Sequence, residues 1–342
     1  MILRELSEAC GVSGNEDAVR AVVLDAIRDH VDDIKIDSLG NVLTVKRGMA
    51  EDSMRVMLAA HMDEVGLMVV DHDDKGLLKV RPVGGIDVRL LPGALVVVGP
   101  DRIPGVIGIK PIHLVERDEM KKVTKIEDLS IDVGAKGKDE AQKLAPLGTY
   151  ATFATQYREL GPTVTGKAFD DRAGCAILVE LLRGDRFEFD FHGVFTVQEE
   201  VGLRGAQVAA FSVDPHCAFV LEGTIADDLP KEKKNVSPTT ELGKGPAITV
   251  MDRSFIADRR LVQLLTGTAE ELGIPYQIKQ PGVGGTDAGA IHLSREGVPT
   301  ATVAVPARYI HSPVALLSLQ DFDNTVRLMN EALVRLSRET FV

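Results

Sequence analysis

Two adjacent glutamates, Glu199 and Glu200, are the residues of this sequence that are best placed to do chemistry. They follow a short apolar run, Val194–Val197, which has the length and composition of a buried strand. Gly202 comes soon after them and allows a sharp turn. Because adjacent residues leaving a strand point in different directions, one carboxylate can bind a metal while its neighbour faces the space beside it. A glutamate pair by itself is more typical of a solvated loop, so the prediction depends on what lies nearby.

Further potential metal ligands lie at the end of an apolar run or just before a predicted helix. They are His61, Asp170, Glu222 and His311. Open α/β sheets bind ligands beyond the carboxyl ends of their strands, so these side chains are expected to converge on one cleft. A set of two histidines and three carboxylates suits Zn²⁺ or Co²⁺, and also Mn²⁺. A bridging carboxylate would hold two such ions about 3.5–4 Å apart.

Several of these residues also have a structural interpretation. Asp170 in the sequence FDD could simply cap the following helix, because aspartate is a favourable N-cap residue. A lone histidine at the end of a strand is more often hydrogen-bonded than metal-bound. Asp63 favours metal binding by His61, because its carboxylate could accept a hydrogen bond from the ring nitrogen that does not bind the metal.

The elements around these residues alternate between strands and helices. From Gly166 onward this alternation predicts an α/β fold with a mixed, mostly parallel sheet flanked by helices. Residues 67–163 differ, because short strands and turn signals recur there at regular intervals and predict an inserted small β-barrel-like domain. The catalytic domain is therefore predicted to be discontinuous and to comprise residues 1–66 and 164–342.

Near the N-terminus, two helices are predicted within residues 1–30, and Ser13 or Asn15 is predicted to cap the second. The only basic cluster, KEKKN at 231–235, is interpreted as a solvated loop.

Composition excludes several classes of function. The 342-residue chain has a net charge of −12 and is 44% hydrophobic, which does not suit binding to nucleic acid or an anionic membrane. It contains no apolar stretch near the roughly 20 residues that a membrane span needs. The three cysteines are odd in number, lie in apolar surroundings and have no CxxC spacing, so we expect reduced thiols in the cytoplasm.

Seven short motifs occur in one order along nearly the whole chain. They are GVSGNE, AAHMDEVG, VGGID, GKAFDDRAG, FTVQEEVGLRGA, GGTDAGAIH and RYIHSP. Together they resemble the TET-type, glutamyl-aminopeptidase-like family of dinuclear metallo-aminopeptidases, whose relatives include proteins described as deblocking aminopeptidases or endoglucanases. The resemblance implies a zinc-peptidase-like catalytic domain, two divalent metal ions per chain and hydrolysis of the N-terminal residue from peptides.

The resemblance implies a role for each matching ligand. Asp170 would bridge the two ions. His61 and Glu222 would complete one metal site, whereas Glu200 and His311 would complete the other. Many relatives carry aspartate where this chain has Glu222, so the carboxylate is kept here but its reach is longer.

Other roles follow from the same resemblance. Glu199 would be the general base for a metal-bridging water, and Asp63 would orient the metal-bound histidine. Asp287 and Gly285, in the sequence GGTDA, would line the substrate pocket. From its chemistry alone, Arg308 is also expected to shape that pocket. The sequence leaves the preferred first residue open between acidic, basic and aliphatic side chains.

The resemblance also concerns assembly. It implies that the inserted barrel mediates homodimerisation and that dimers build a tetrahedral homododecamer.

Within hydrolases, an N-acyl amino acid deacylase, a carboxypeptidase or a dipeptidase on the same scaffold remains an alternative. A glycosidase is disfavoured because two carboxylates suffice for that chemistry and the histidines would have no role. A metal-dependent scaffold without catalysis is the alternative from another class.

Overall fold

We describe the chain from a computed structural model. The structure describes residues 2–51, 53–118, 121–229 and 239–341. The basic cluster that was interpreted as a solvated loop lies outside these residues. Within them, no helix combines the length and apolar character needed to cross a membrane.

The described residues form helices and strands that alternate along the chain. The helices are α1 (Ile2–Glu8), α2 (Asp17–Ile27), α3 (Lys138–Leu144), α4 (Phe169–Arg183), α5 (Arg204–Val213), α6 (Arg259–Leu272), α7 (Ala288–Ile291) and α8 (Leu319–Arg335). The first nine strands are β1 (Asp33–Ile36), β2 (Val42–Val45), β3 (Arg55–His61), β4 (Gly66–His72), β5 (Leu78–Val83), β6 (Leu95–Val98), β7 (Ile103–Gly108), β8 (Ser130–Asp132) and β9 (Tyr150–Phe153). The remaining strands are β10 (Arg158–Leu160), β11 (Thr163–Gly166), β12 (Asp190–Thr196), β13 (Cys217–Ile225), β14 (Ala247–Thr249), β15 (Gln277–Lys279), β16 (Thr300–Arg308) and β17 (Ala315–Ser318).

A large mixed sheet forms the centre of the molecule, with strand order β1-β2-β12-β3-β13-β16-β17-β11-β10. Its four central strands, β12, β3, β13 and β16, run parallel, and strands at both edges are antiparallel. A branch adds β14, antiparallel to β16, and then β15, parallel to β14. The prediction of a mixed, mostly parallel sheet flanked by helices is confirmed.

Burial of the central strands explains their apolar sequences. The run VMLAA in β3 is buried on both faces of the sheet, as parallel strands covered by helices generally are. On one face, the long helix α4 contributes Leu178 and Leu182 to the same core as Phe219 of β13. On the other face, Ala206 and Ala210 of α5 pack in a second core, where small side chains let the helix approach the sheet. This rigid sheet holds the strand ends in place.

The inserted segment forms a closed antiparallel barrel in the strand order β4-β5-β8-β7-β6-β9. Alternate residues along its strands point inward, and Leu67, Val69, Leu78, Ile131 and Phe153 fill its separate core. The predicted small β-barrel is confirmed. Closing six short strands on themselves removes the exposed edges that such a sheet would otherwise have.

Two local expectations are wrong. The residue before α2 is Glu16, and no side chain caps that helix, because the hydroxyl of Ser13 donates a hydrogen bond to Asp63 instead. Glu222 was expected at the end of a strand but lies within β13, which continues to Ile225 because it keeps pairing with β16.

Candidate active site

Two neighbouring parallel strands bring His61 and the glutamate pair together. His61 is the last residue of β3 and pairs in register with Thr196, the last residue of β12. Glu199 and Glu200 follow β12 by three and four residues. Because carboxyl ends of parallel strands meet at one edge of the sheet, these side chains face the same cleft.

Asp63 connects these two strand ends. Its Oδ1 accepts a hydrogen bond from the backbone N–H of Glu199 at 3.0 Å and lies 3.4 Å from Nδ1 of His61. Its Oδ2 accepts from the backbone N–H of Glu200 at 3.2 Å and from the hydroxyl of Ser13 at 2.6 Å. Burial opposes ionisation, but the hydrogen bond from His61 and these other donors hold the pKa of Asp63 below its ordinary value. Asp63 therefore fixes the positions of three candidate residues at once.

Asp170 lies between the two histidines. Its Oδ1 is 3.3 Å from Nε2 of His61, and its Oδ2 is 3.2 Å from Nε2 of His311. Burial would raise the pKa of this carboxyl, but hydrogen bonds to His311 and His61 lower it overall. Each carboxylate oxygen thus faces a different imidazole, which is the arrangement that a bridging ligand requires.

The helix-capping role that was considered for Asp170 belongs instead to its neighbour, Asp171. The two residues are joined by a cis peptide bond. Oδ1 of Asp171 accepts from the backbone N–H of Gly174 at 2.8 Å, in the first turn of α4. Its Oδ2 accepts from the backbone N–H of His61 at 3.1 Å. Asp171 therefore caps the helix and anchors the end of β3, which leaves Asp170 available to the cleft.

His311 is positioned by the inserted barrel. Its Nδ1 lies 2.7 Å from the carbonyl oxygen of Gly85, in the segment that follows β5, so Nε2 faces Asp170 and Glu200. Its backbone φ is +58°, in the left-handed region that non-glycine residues seldom adopt. Burial alone would lower the pKa of His311, but the hydrogen bond to Asp170 and the charge of Glu200 raise it to about 10.

Glu222 and Glu199 approach His61 from the other side. Oε2 of Glu222 is 3.6 Å from Nε2 of His61, and Oε2 of Glu199 is 3.9 Å from the same atom. Oε1 of Glu222 is buried and has no hydrogen-bond partner among the described residues. Burial, and then the charge of Asp171, raise the pKa of Glu222 well above its ordinary value. An unpartnered buried carboxylate oxygen indicates that a group outside the polypeptide completes this site.

The side chains form two groups that could each hold a metal ion. The first group is His61, Glu199 and Glu222, and the second is Asp170, Glu200 and His311. Within each group the candidate ligand atoms lie within 4.8 Å of one another. The structure thus brings together all five predicted ligands, and Glu199, which was predicted to be the base, is itself a member of the first group.

Electrostatics also favours cations in this cleft. Burial and the nearby charge of Asp170 raise the pKa of Glu200 to about 7. Burial, together with Asp287 and Glu200, raises the pKa of Glu199 well above its ordinary value despite the nearby His61. Several buried carboxylates repel one another, and bound cations would relieve this repulsion. Nitrogen and oxygen donors of these kinds fit divalent ions such as Zn²⁺.

Comparison with known proteins places the sequence in a family. A family model described as M42 glutamyl aminopeptidase matches residues 40–328. The chain belongs to this family. A lysyl aminopeptidase of Pyrococcus furiosus is 36% identical to it over 353 aligned positions, which cover 99% of this chain and 98% of that protein.

Solved structures of M42-like proteins share the fold. A TET aminopeptidase from a marine-sediment archaeon of the Thaumarchaeota matches with a TM-score of 0.94 and 38% identity, covering 99% of this chain and 96% of its own. The TET1 peptidase of Pyrococcus horikoshii, which assembles into a tetrahedron or a large octahedral shell, matches with a TM-score of 0.86 and 35% identity, covering 98% and 99%.

This M42 chain has a cavity of about 640 Å³ beside the six-residue cluster, lined among others by Glu199, Glu222 and His311. Of the three residues expected to bind substrate, only Gly285 lies in its wall. Asp287 is fully buried and accepts a hydrogen bond from the hydroxyl of Thr196 at 2.5 Å. Burial is the main reason that the pKa of Asp287 rises to about 6.

The third of those residues, Arg308, is held away from the cavity wall by a bidentate ion pair. Its Nε and Nη2 donate to the two carboxylate oxygens of Asp228 at 2.6 and 2.8 Å. Neither Arg308 nor Asp287 lines the cavity, so their predicted contact with substrate gains no support from the geometry.

Sequence reasoning missed a buried ionic network behind the site. Glu64 accepts hydrogen bonds from Nζ of Lys167 at 2.6 and 2.8 Å and from Arg172 at 3.2 Å. Lys167 and Arg172 also donate to the backbone carbonyl of Ala9 at the end of α1. The sequence gives no sign that these charged residues pair, because Glu64 lies more than 100 residues before both cations. The network ties the N-terminal helix to the strand end that carries the site.

Proposed function

We propose that this chain is a dinuclear-metal aminopeptidase that removes the first residue of peptides. The observation that carries the proposal is the position of Asp170, with one carboxylate oxygen at 3.3 Å from His61 and the other at 3.2 Å from His311. The ligands assigned to the first ion are His61 and Glu222, and those of the second are Glu200 and His311, with Asp170 shared. Family membership and the relatives' aminopeptidase names support the same activity.

Two bound divalent ions would polarise the scissile carbonyl and lower the pKa of a water molecule toward neutrality. Glu199 takes the proton from the attacking water and returns it to the leaving amine. Its carboxylate lies 3.9 Å from Nε2 of His61, at the edge of the ligand cluster, where it can exchange protons with groups in the cavity. Asp63 is a positioning residue, because it holds the backbone N–H groups of Glu199 and Glu200.

The negative charge of the cleft gives a reason for exopeptidase specificity. A protonated α-amino group is attracted by the buried carboxylates, and a neutral one could bind a metal ion. An acylated amino group offers neither interaction. The enzyme should therefore cleave only the bond that follows a free N-terminal residue.

The direct test compares matched peptides that differ only at the amino terminus. We expect the metal-loaded protein to release the first residue from free leucyl and glutamyl peptides, and to leave the N-acetylated versions intact. Mass spectrometry of the products identifies which residue is released. Cleavage of acetylated substrates would indicate a deacylase, and release of the last residue would indicate a carboxypeptidase. Either result would contradict the proposal.

We further propose that the chain assembles with copies of itself through the inserted barrel unit, residues 67–163. This unit exposes large apolar side chains, including Leu95 in β6 and Ile112 and Leu114 in the segment between β7 and β8, each about two-thirds exposed. Apolar surface of this kind marks interaction sites. The tetrahedral and octahedral assemblies of the Pyrococcus horikoshii TET1 peptidase support a larger particle. Light scattering that gives the mass of a single chain at micromolar concentration would contradict this proposal.

We also propose that the protein is located in the cytoplasm. Cys10, Cys175 and Cys217 form no disulfide, as expected of thiols in a reducing compartment.

A further inference from the structure

We infer that the cavity selects substrates whose first residue carries a carboxylate side chain, with Lys279 as the residue that determines this specificity. The inference rests on the proposed aminopeptidase function and names its substrate class. The family description and the named relative point in different directions, since one mentions glutamyl and the other lysyl substrates. The choice for this chain therefore has to come from its own cavity.

Lys279 is an unusual lysine. It is the last residue of β15, is only 5% exposed and lines the cavity. Among the described residues its ammonium group has neither a hydrogen-bond partner nor an ion-pair partner. An ammonium group that has no protein partner and belongs to a residue lining a cavity is available to pair with a bound anion, and hydrogen bonds of this charged kind are strong. An anion entering the cavity would provide the missing partner.

A second unpartnered donor lies nearby in the same wall. The hydroxyl of Thr302, in β16, is buried and makes no hydrogen bond within the part of the chain that the structure describes. Thr249 of β14 is the register partner of both Thr302 and Lys279. Residues paired across neighbouring strands share a face of the sheet, so Thr302 and Lys279 project from one face, two strand spacings or roughly 10 Å apart. Together they provide an ammonium and a hydroxyl for one carboxylate.

The same face carries a proposed metal ligand. Glu222 is the register partner of Ala304, which is two residues after Thr302 and therefore on the same side of β16. Three strand spacings and two residues separate Glu222 from Lys279, or roughly 16 Å between their Cα atoms. The long side chains of Glu222 and Lys279 cover much of this distance. What remains accommodates one amino-acid residue, with its amino group at the metal cluster and its side chain toward Lys279.

Other charges around the cavity do not reverse this preference. Arg89 and Asp87 both line it, but they pair with each other, with Nη2 of Arg89 donating to Asp87 at 2.5 Å. Beyond that pair and the metal cluster, the wall contributes neutral residues such as Gly285 and Thr286. A substrate beginning with lysine would place its ammonium group against that of Lys279, whereas glutamate or aspartate would form an ion pair there.

The test compares substrates that begin with glutamate, glutamine, leucine and lysine, using metal-loaded wild type, Lys279→Met and Thr302→Val. In wild type we expect kcat/KM for glutamate to exceed that for lysine by about 100-fold or more. Lys279→Met should lower the glutamate-to-leucine ratio by about 10–100-fold, mainly through KM, because one charged hydrogen bond is lost. Thr302→Val should lower the same ratio by a smaller factor. Lys244→Met, at an exposed lysine outside the cavity wall, is the matched control and should leave the ratio unchanged.

The outcomes separate the two proposals. Wild type that prefers lysine or leucine, or a ratio that Lys279→Met does not change, would overturn the inference while the aminopeptidase function stands. If no free-amine substrate is cleaved, the proposed function fails. Calorimetric binding of free glutamate to metal-loaded wild type and to Lys279→Met then still tests the inference. Equal affinities in the two proteins would overturn it.

Discussion

Glu199→Gln should retain its metal ions and lose almost all activity. Glutamine keeps the size of the side chain and its hydrogen-bonding length, but it cannot accept and return a proton. Because general base catalysis contributes about 10²–10⁴-fold, kcat should fall by a factor in that range while KM changes little. Metal content measured by mass spectrometry and steady-state kinetics on the same sample would check both parts of the expectation.

The matched control is Glu296→Gln, which changes an exposed glutamate outside the cavity wall and should leave both measurements unchanged. Near-normal turnover in metal-loaded Glu199→Gln would remove Glu199 from the role of base. Loss of one metal ion in this variant would instead make Glu199 a ligand, in keeping with its position beside His61 and Glu222.

Asp170→Asn should abolish activity by removing metal. An asparagine side chain offers one neutral oxygen where the carboxylate offers two charged ones, so it cannot bridge two cations. We expect metal content near zero after dialysis, and a loss of activity of about 10³-fold or more. The melting temperature in the presence of chelator should stay close to that of chelated wild type, because the helix cap belongs to Asp171.

Asp101→Asn, at an exposed position in the inserted barrel, is the control for this substitution. An Asp170→Asn protein that binds as much metal as wild type would show that Asp170 is not the shared ligand. A protein that fails to fold would be recognised by its circular dichroism, and Asp170→Glu would then test the same role with the charge retained.

The sequence allowed most of the candidate ligands to be assigned to one cleft, because they lie near the ends of apolar runs. His61 and Glu200 follow runs that were predicted to be buried strands, and parallel strands bring such ends together. Glu222 lies in the cavity wall, although its strand extends further than expected because pairing with β16 continues past it. Strand composition predicts burial, but it does not show where pairing stops.

Other features depend on contacts between segments that are distant in the sequence. The carbonyl of Gly85 holds His311 across 226 residues, and neither residue type suggests the other. Lys279 gains its significance only from the register of β14 with two strands, which no local pattern specifies. Arg308 has the chemistry of a substrate ligand, but Asp228 occupies its guanidinium group. Residue type and spacing therefore do not specify partners that lie far apart in the sequence.

The central claim is that this cleft is a two-metal catalytic centre, and a metal titration tests it most directly. Protein stripped by a chelator would receive Zn²⁺ or Co²⁺ in steps, with bound metal and cleavage of a free-amine peptide measured at each step. We expect no activity in the stripped protein, saturation at two ions per chain and full activity only once both sites are filled. Full activity without metal, or saturation at a single ion, would contradict it.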